Sequence, residues 1–202
     1  MSFRKEKKFR VTVAEYHRLK SMLLSQGMEI LHQPRCINSI YFDTNNLQMF
    51  DDSEEGLLPR KKIRVRWYNK NNKFNLETKT SSIEGRYKTT KALSDVSSEK
   101  KILTKSYTDS QYGNIYPSLK VSYSRTYFEF NLMRITFDEN IKYSNLRTHA
   151  KDYYSDPERV VEIKVPFECE DDYIEKFIPF ATARFSKYSR GTLLSTGDLS
   201  EF

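Results

Sequence analysis

At 202 residues with a net charge of +7, the chain fits one substantial domain, or at most two small ones, and its partner is anionic: nucleic acid, an anionic membrane or phosphate compounds. Hydrophobic residues at 38% and aromatics at 14%, with only 6 Gly and 6 Pro, exclude a disordered chain and favour strands over bundled helices. No stretch approaches the ~20 apolar residues needed to span a bilayer. The N-terminus is charged from Arg4 onward, against a signal peptide. Cys36 and Cys169 are too few for a disulfide framework or a cysteine metal site, and His17, His32 and His149 lack metal-ligand spacing. The expectation is an ordered cytoplasmic protein with reduced thiols.

Residues 4–11 read as a strand in which Glu6, Lys8 and Arg10 share one face, and Phe9 and Val11 the other. Thr12 and Glu15 have capping-box spacing, which predicts a helix over 13–26 that stops at Gly27. Residues 35–43 read as a strand, and 45–59 as a polar connection with a short packed turn at Leu47, Met49 and Phe50. Strands 61–68 and 73–80 flank the hairpin signal of residues 69–72, and Gly85 opens a strand over 86–90. A weak helical pattern covers 95–108. Strands 118–130 and 133–138 meet at Asn131-Leu132, residues 145–157 form a polar loop, and 159–165 is the last strand. Residues 171–180 predict a short helix with Ile174, Phe177 and Ile178 on its apolar side, and the stretch 184–190 is basic and aromatic. No linker divides the chain, so a single α+β domain, mostly antiparallel, spans 1–202.

The strands share a pattern. Lys62, Arg64 and Arg66 alternate with Ile63, Val65 and Trp67; Glu77 and Lys79 share a face, as do Glu162 and Lys164. Any one such strand ordinarily turns its charges to water. Taken together, Lys8, Arg64, Arg66, Lys79, Arg125, Arg134 and Lys164 form a cationic face with few acidic partners, opposite a continuous apolar one. If the sheet closes into a barrel, the ionic face becomes a lumen. Burying those charges without counter-ions costs several kcal/mol each, so the lumen must be wet and hold a polyanion, for which phosphates suit Arg and Lys donors. Alternating cations beside acids do not form the exposed aromatic and basic platform of a nucleic-acid binder.

With the strands in place, an ordered set of motifs appears: Glu6-Lys7-Lys8-Phe9, Ser39 to Thr44 (S-I-Y-F-D-T), Arg64-Val65-Arg66, Glu77-Thr78-Lys79, then Lys88 or Lys91. It continues through Tyr123-Ser124-Arg125, Arg134 to Asp138 (R-I-T-F-D), Glu162-Ile163-Lys164 and Ser186-Lys187-Tyr188. Over nearly the whole chain this set resembles the VTC domain, the polyphosphate-polymerase module of the vacuolar transporter chaperone complex. That module belongs to the triphosphate tunnel metalloenzyme (CYTH-like) superfamily.

The resemblance implies a closed tunnel of eight antiparallel strands flanked by a few helices, whose cations hold a nucleotide triphosphate such as ATP and a growing polyphosphate chain. It also implies Mn2+ or Mg2+ on Glu162. Arg64, Arg66, Lys79, Arg125 and Arg134 would clamp the triphosphate, and Lys8, Lys88, Lys164 and Lys187 would complete the phosphate contacts. Glu77 or Glu6 would aid Glu162, although Glu77 has the alternative of merely neutralising Lys79 or an arginine. Lys88 is preferred over Lys91 because it shares a face with Arg86. Related hydrolases open with Glu-x-Glu-x-Lys. Arg4 replaces the first acid here, which favours chain binding over hydrolysis. Three functions stay open: an ATP-dependent polymerase, a metal-dependent triphosphatase, and a non-catalytic polyphosphate-binding module. A product channel would need a membrane-protein partner on a separate chain.

Overall fold

Alternation of apolar and ionic residues is realised as strands in a computed structural model that describes residues 4–71, 73–148 and 153–196. The elements are β1 (Arg4–Val11), α1 (Val13–Ser25), β2 (Glu29–Asp43), α2 (Gln48–Glu55), β3 (Arg60–Tyr68), β4 (Phe74–Ser82) and β5 (Gly85–Leu93). They continue with α3 (Glu99–Leu103), β6 (Tyr107–Asp109), β7 (Gly113–Phe130), β8 (Met133–Asn145), β9 (Tyr154–Ser155), β10 (Arg159–Pro166) and α4 (Lys187–Thr196). The class is α+β. Hydrogen bonding gives the strand order β1-β10-β8-β7-β2-β3-β4-β5, with β6 beside β7 and β9 beside β8. Every register resolved is antiparallel.

That order corrects the expected closed barrel. β1 and β5 end the order, each paired on one side only, so among the described residues the sheet is open rather than closed by hydrogen bonds. Strand periodicity fixes which face is apolar, but closure needs a particular pairing that periodicity does not encode.

The chain divides into two compact units: Met1–Cys36, Tyr123–Ile141 and Ser155–Phe185 in the first, and Ile37–Ser122, Lys142–Tyr154 and Ser186–Phe202 in the second. In the first, β1, β8 and β10 turn Phe9, Val11, Ile135, Phe137, Val161 and Ile163 toward one core. Helix α1 buries Tyr16, Leu19 and Leu23 in it. The predicted capping box holds: Thr12 N–H donates to Glu15 Oε2 at 2.7 Å, and Glu15 N–H to Thr12 Oγ1 at 3.2 Å. The Asn131-Leu132 hairpin also holds, with Asn131 at φ 52°.

The expected helix over 171–180 is absent. The segment forms consecutive turns, with Tyr173 N–H bonded to Glu170 O and Ile178 N–H to Ile174 O. Lys7 Nζ takes the Asp171 carbonyl at 2.8 Å, and Lys5 takes its carboxylate at 2.7 Å, so β1 competes for groups that would begin the helix. Ile174 and Ile178 still reach the core, which is why their spacing mimics a helix.

In the second unit, Ile40, Phe42, Ile63, Val65, Trp67 and Phe74 form the core with Met49, Ile102 and Ile115. The polar connection at 45–59 contains α2. The weak helical pattern at 95–108 shrinks to α3, after which Tyr107 pairs with Ile115 in β6–β7. No helix among the described residues is long and apolar enough to cross a membrane. Both cysteines are free thiols.

Candidate functional site

Two ionic clusters stand on strand faces opposite these cores, one in each unit. In the second unit, Arg64 lies opposite Glu77, Lys62 opposite Lys79 and Lys79 opposite Lys88. Residues directly opposed across strands project to the same side, so Lys62, Arg64, Arg66, Lys79 and Lys88 surround one glutamate. Lys88, not Lys91, belongs to this face, since Lys91 lies opposite Leu76.

Glu77 is 3% exposed. Its Oε2 accepts from Arg64 Nε at 2.8 Å and lies 2.7 Å from Arg64 Nη2 and 3.6 Å from Arg66 Nη1. Its Oε1 accepts from Lys88 Nζ at 2.6 Å. Burial works against ionising Glu77, but Arg64, Arg66 and Lys88 outweigh it and bring its pKa down to about 2. Glu77 is engaged as a counter-ion, with both oxygens occupied. The cations around it still outnumber it.

Around this cluster, Arg64 Nη1 donates to the Tyr41 hydroxyl at 2.8 Å and Arg66 Nε to Ser39 Oγ at 3.2 Å. The Tyr41 ring stacks on Tyr188 at 4.9 Å. The Tyr188 hydroxyl donates to Asp43, whose carboxylate also accepts the Thr44, Met49 and Phe50 N–H groups and so seats α2. Lys62 Nζ donates to Ser186 Oγ at 2.8 Å, which also accepts Ser189 N–H at 3.3 Å at the start of α4, where Lys187 is the first helical residue.

In the first unit the register sets Glu6 opposite Lys164 and Lys164 opposite Arg134, with Lys8 opposite Glu162. Asp138, fully buried, accepts a fork from Arg125, Nε at 2.6 Å and Nη2 at 2.7 Å. Burial opposes charge on Arg125, and Asp138 and Glu162 more than compensate, raising its pKa further. Glu162 lies 2.8 Å from Lys164 Nζ and 3.6 Å from Arg125 Nη2, while Lys164 also reaches Glu6 at 3.3 Å. Burial raises the Glu162 pKa, but Arg125, Lys164 and Lys8 hold it well below the carboxylate range. Lys8 Nζ contacts Glu6 at 3.3 Å and the Phe185 carbonyl at 3.3 Å. Among the described residues Arg134 has no ion pair.

The expectation of few acidic partners is therefore corrected. Glu6, Asp138 and Glu162 nearly balance Lys8, Arg125, Arg134 and Lys164 in the first unit, whereas the second unit is strongly cationic. Asp138 joins the ionic cluster of the first unit and Tyr41 that of the second, neither given a role from sequence. Alternation could have found both: Asp138 continues the parity of Arg134 and Thr136, and Tyr41 that of Ser39.

This strand order, with ionic faces backed by apolar cores, has the fold of the triphosphate tunnel (CYTH-like) superfamily. Within it, the chain belongs to the VTC domain family, whose model matches residues 3–196. Among curated proteins, none matches the sequence. Of solved structures, an adenylate cyclase candidate from Bacillus halodurans is similar at 15% identity and TM-score 0.59, over 92% of this chain and 94% of that one. An adenylyl cyclase candidate from Hippeastrum, described as having a dominant triphosphatase activity, is 14% identical at TM-score 0.54, over 96% of each chain. The Mediator head module of Schizosaccharomyces pombe is 8% identical at TM-score 0.50, over 86% of this chain and 87% of that one. Likeness at this level concerns the fold alone.

Proposed function

We propose that this chain is a polyphosphate polymerase that transfers the terminal phosphate of ATP to a growing polyphosphate chain. The observation that carries this reading is the surplus of cations about buried Glu77, in a chain of the VTC family. Phosphoryl transfer asks mainly for alignment and charge neutralisation. Arg64 and Arg66, held by Glu77, supply fixed guanidinium donors to phosphate oxygens, and Lys79 and Lys88 add ammonium point charges. Arg125, oriented by Asp138, and Arg134 offer further guanidinium donors in the first unit, and Lys8, Lys164 and Lys187 are further phosphate contacts. The acceptor phosphate is already ionised at neutral pH, so no Ser–His or Cys–His pair is needed.

A divalent cation fits Glu162 and Glu6. Their carboxylates are bridged by the Lys164 ammonium, so a positive charge already stands between them. No group of three or more acidic, His or Cys side chains among the described residues could form an all-protein cage. Two hard carboxylates completed by substrate phosphates suit Mg2+ or Mn2+. When bound, the ion would neutralise charge on phosphate oxygens. In this reading the protein works in the cytoplasm, where ATP is supplied, and a membrane protein on another chain carries the product away.

Triphosphate hydrolysis is the second reading, favoured by the near balance of acids and cations around Glu162 and by fold likeness to the Hippeastrum protein. A module that binds polyphosphate without turnover is the third. Purified protein given ATP and Mn2+, with products separated by chain length, distinguishes them. A ladder of phosphate chains is expected. Orthophosphate alone would replace the polymerase with a hydrolase, and binding without turnover would remove catalysis from the account.

A further inference from the structure

Tyr41 is 6% exposed and lies in the cationic cluster, not in the core behind it. Its hydroxyl accepts from Arg64 Nη1 at 2.8 Å, which uses one lone pair and leaves the hydroxyl hydrogen to donate. Among the described residues no acceptor takes that hydrogen. A buried donor without an acceptor is costly, and an anion on the same face would satisfy it. Two neighbours hold the ring: Tyr188 stacks on it at 4.9 Å, and the Arg64 guanidinium stands 5.6 Å from its centroid.

We propose that Tyr41 is a phosphate-binding residue: its phenol hydrogen bonds an oxygen of the phosphate that Arg64 and Arg66 hold. The inference rests on the anion-binding reading above and adds a neutral donor to a set of cations. A phenol donates only while protonated, so binding at this face is linked to a proton. The groups facing Tyr41 are Arg64 and Arg66 of β3, Glu77 and Lys79 of β4, Lys88 of β5, and Tyr188 of α4 with its partner Asp43. Burial raises the Tyr41 pKa, but Arg64, Arg66 and Lys79 overcome it and lower the value to about 8.

Above pH 8 Tyr41 becomes a phenolate that pairs with Arg64 and repels phosphate, so affinity falls as pH rises. A bound polyanion in turn raises the pH at which Tyr41 ionises. Tripolyphosphate also loses its last proton in this window and gains charge, which favours binding, so the fall in wild type is read against Tyr41→Phe.

Calorimetric titration with inorganic tripolyphosphate at pH 7 and pH 9 tests this in wild type, Tyr41→Phe and Arg64→Ala. Tyr41→Phe keeps the ring and its stack. Expected are an affinity loss of about tenfold for Tyr41→Phe at pH 7 and, measured relative to Tyr41→Phe, a loss in wild type approaching about tenfold between pH 7 and 9. In protein labelled with 13C at tyrosine Cζ, tripolyphosphate should shift the Tyr41 titration upward. If Arg64→Ala abolishes binding while Tyr41→Phe matches wild type at both pH values, the Tyr41 role is wrong and the anion site stands. If Arg64→Ala binds as wild type, the anion site itself is wrong.

Discussion

Replacing Glu77 with Gln removes the charge that holds Arg64, Arg66 and Lys88 while keeping the side chain's size. The free energy at stake follows from proton linkage. Against an ordinary value of 4.5, Glu77 ionises at about 2 in the folded chain, because Arg64, Arg66 and Lys88 outweigh the cost of its burial. At 1.36 kcal/mol per pH unit this corresponds to about 3 kcal/mol of stability at pH 7. A carboxylate with a depressed pKa contributes fully above 4.5, and its contribution fades as pH falls toward 2. Denaturant unfolding should therefore show Glu77→Gln about 3 kcal/mol less stable than wild type at pH 7, with the gap below half of that at pH 3. Tripolyphosphate should narrow the gap at pH 7, since it supplies the missing negative charge and binds the folded state. A deficit under about 1 kcal/mol at pH 7, or one that does not shrink in acid, would refute the assignment of Glu77 as the buried counter-ion.

Gly191→Ala should destabilise the chain by about 1–3 kcal/mol in thermal or denaturant unfolding. A Cβ there would stand 2.4 Å from Tyr143 Cδ1 and 2.7 Å from Leu119 Cδ2, forcing α4 off its strands. Because α4 carries Tyr188, tripolyphosphate affinity should drop with it, and an unchanged affinity would separate α4 from the anion site. Glu162→Gln should lose the response of turnover to Mn2+ while retaining tripolyphosphate affinity measured without metal; retained metal response would move the cation elsewhere.

The faces were legible in the sequence because a strand's period of two is rigid. Lys62, Arg64 and Arg66 could not be separated from one another without also breaking the apolar set Ile63, Val65 and Trp67. The order of motifs likewise gave the family, and the parity of Arg86 and Lys88 selected Lys88. What escaped depends on partners distant in the chain. Helix α2 is capped by Asp43, outside the helix and two residues before the connection, through N–H groups up to seven residues on. Local signals at 45–59 show a polar stretch with a short packed turn at Leu47, Met49 and Phe50, not a helix. The pairing of Arg125 with Asp138 joins two strands through a hairpin, and the Arg64–Tyr41 bond joins β3 to β2. Such contacts depend on register, so counting charges along single strands made the ionic faces look poorer in acids than they are.

The claim on which all of this rests is that phosphate is held by the strand-face arginines. Tripolyphosphate titration followed through side-chain Nε–H resonances of assigned arginines tests it most directly. The account predicts large saturable shifts at Arg64 and Arg66, with Arg18 and Arg35, both solvent-exposed, nearly unmoved. Shifts confined to Arg18, Arg35 or other exposed arginines, with Arg64 and Arg66 silent at saturation, would contradict it.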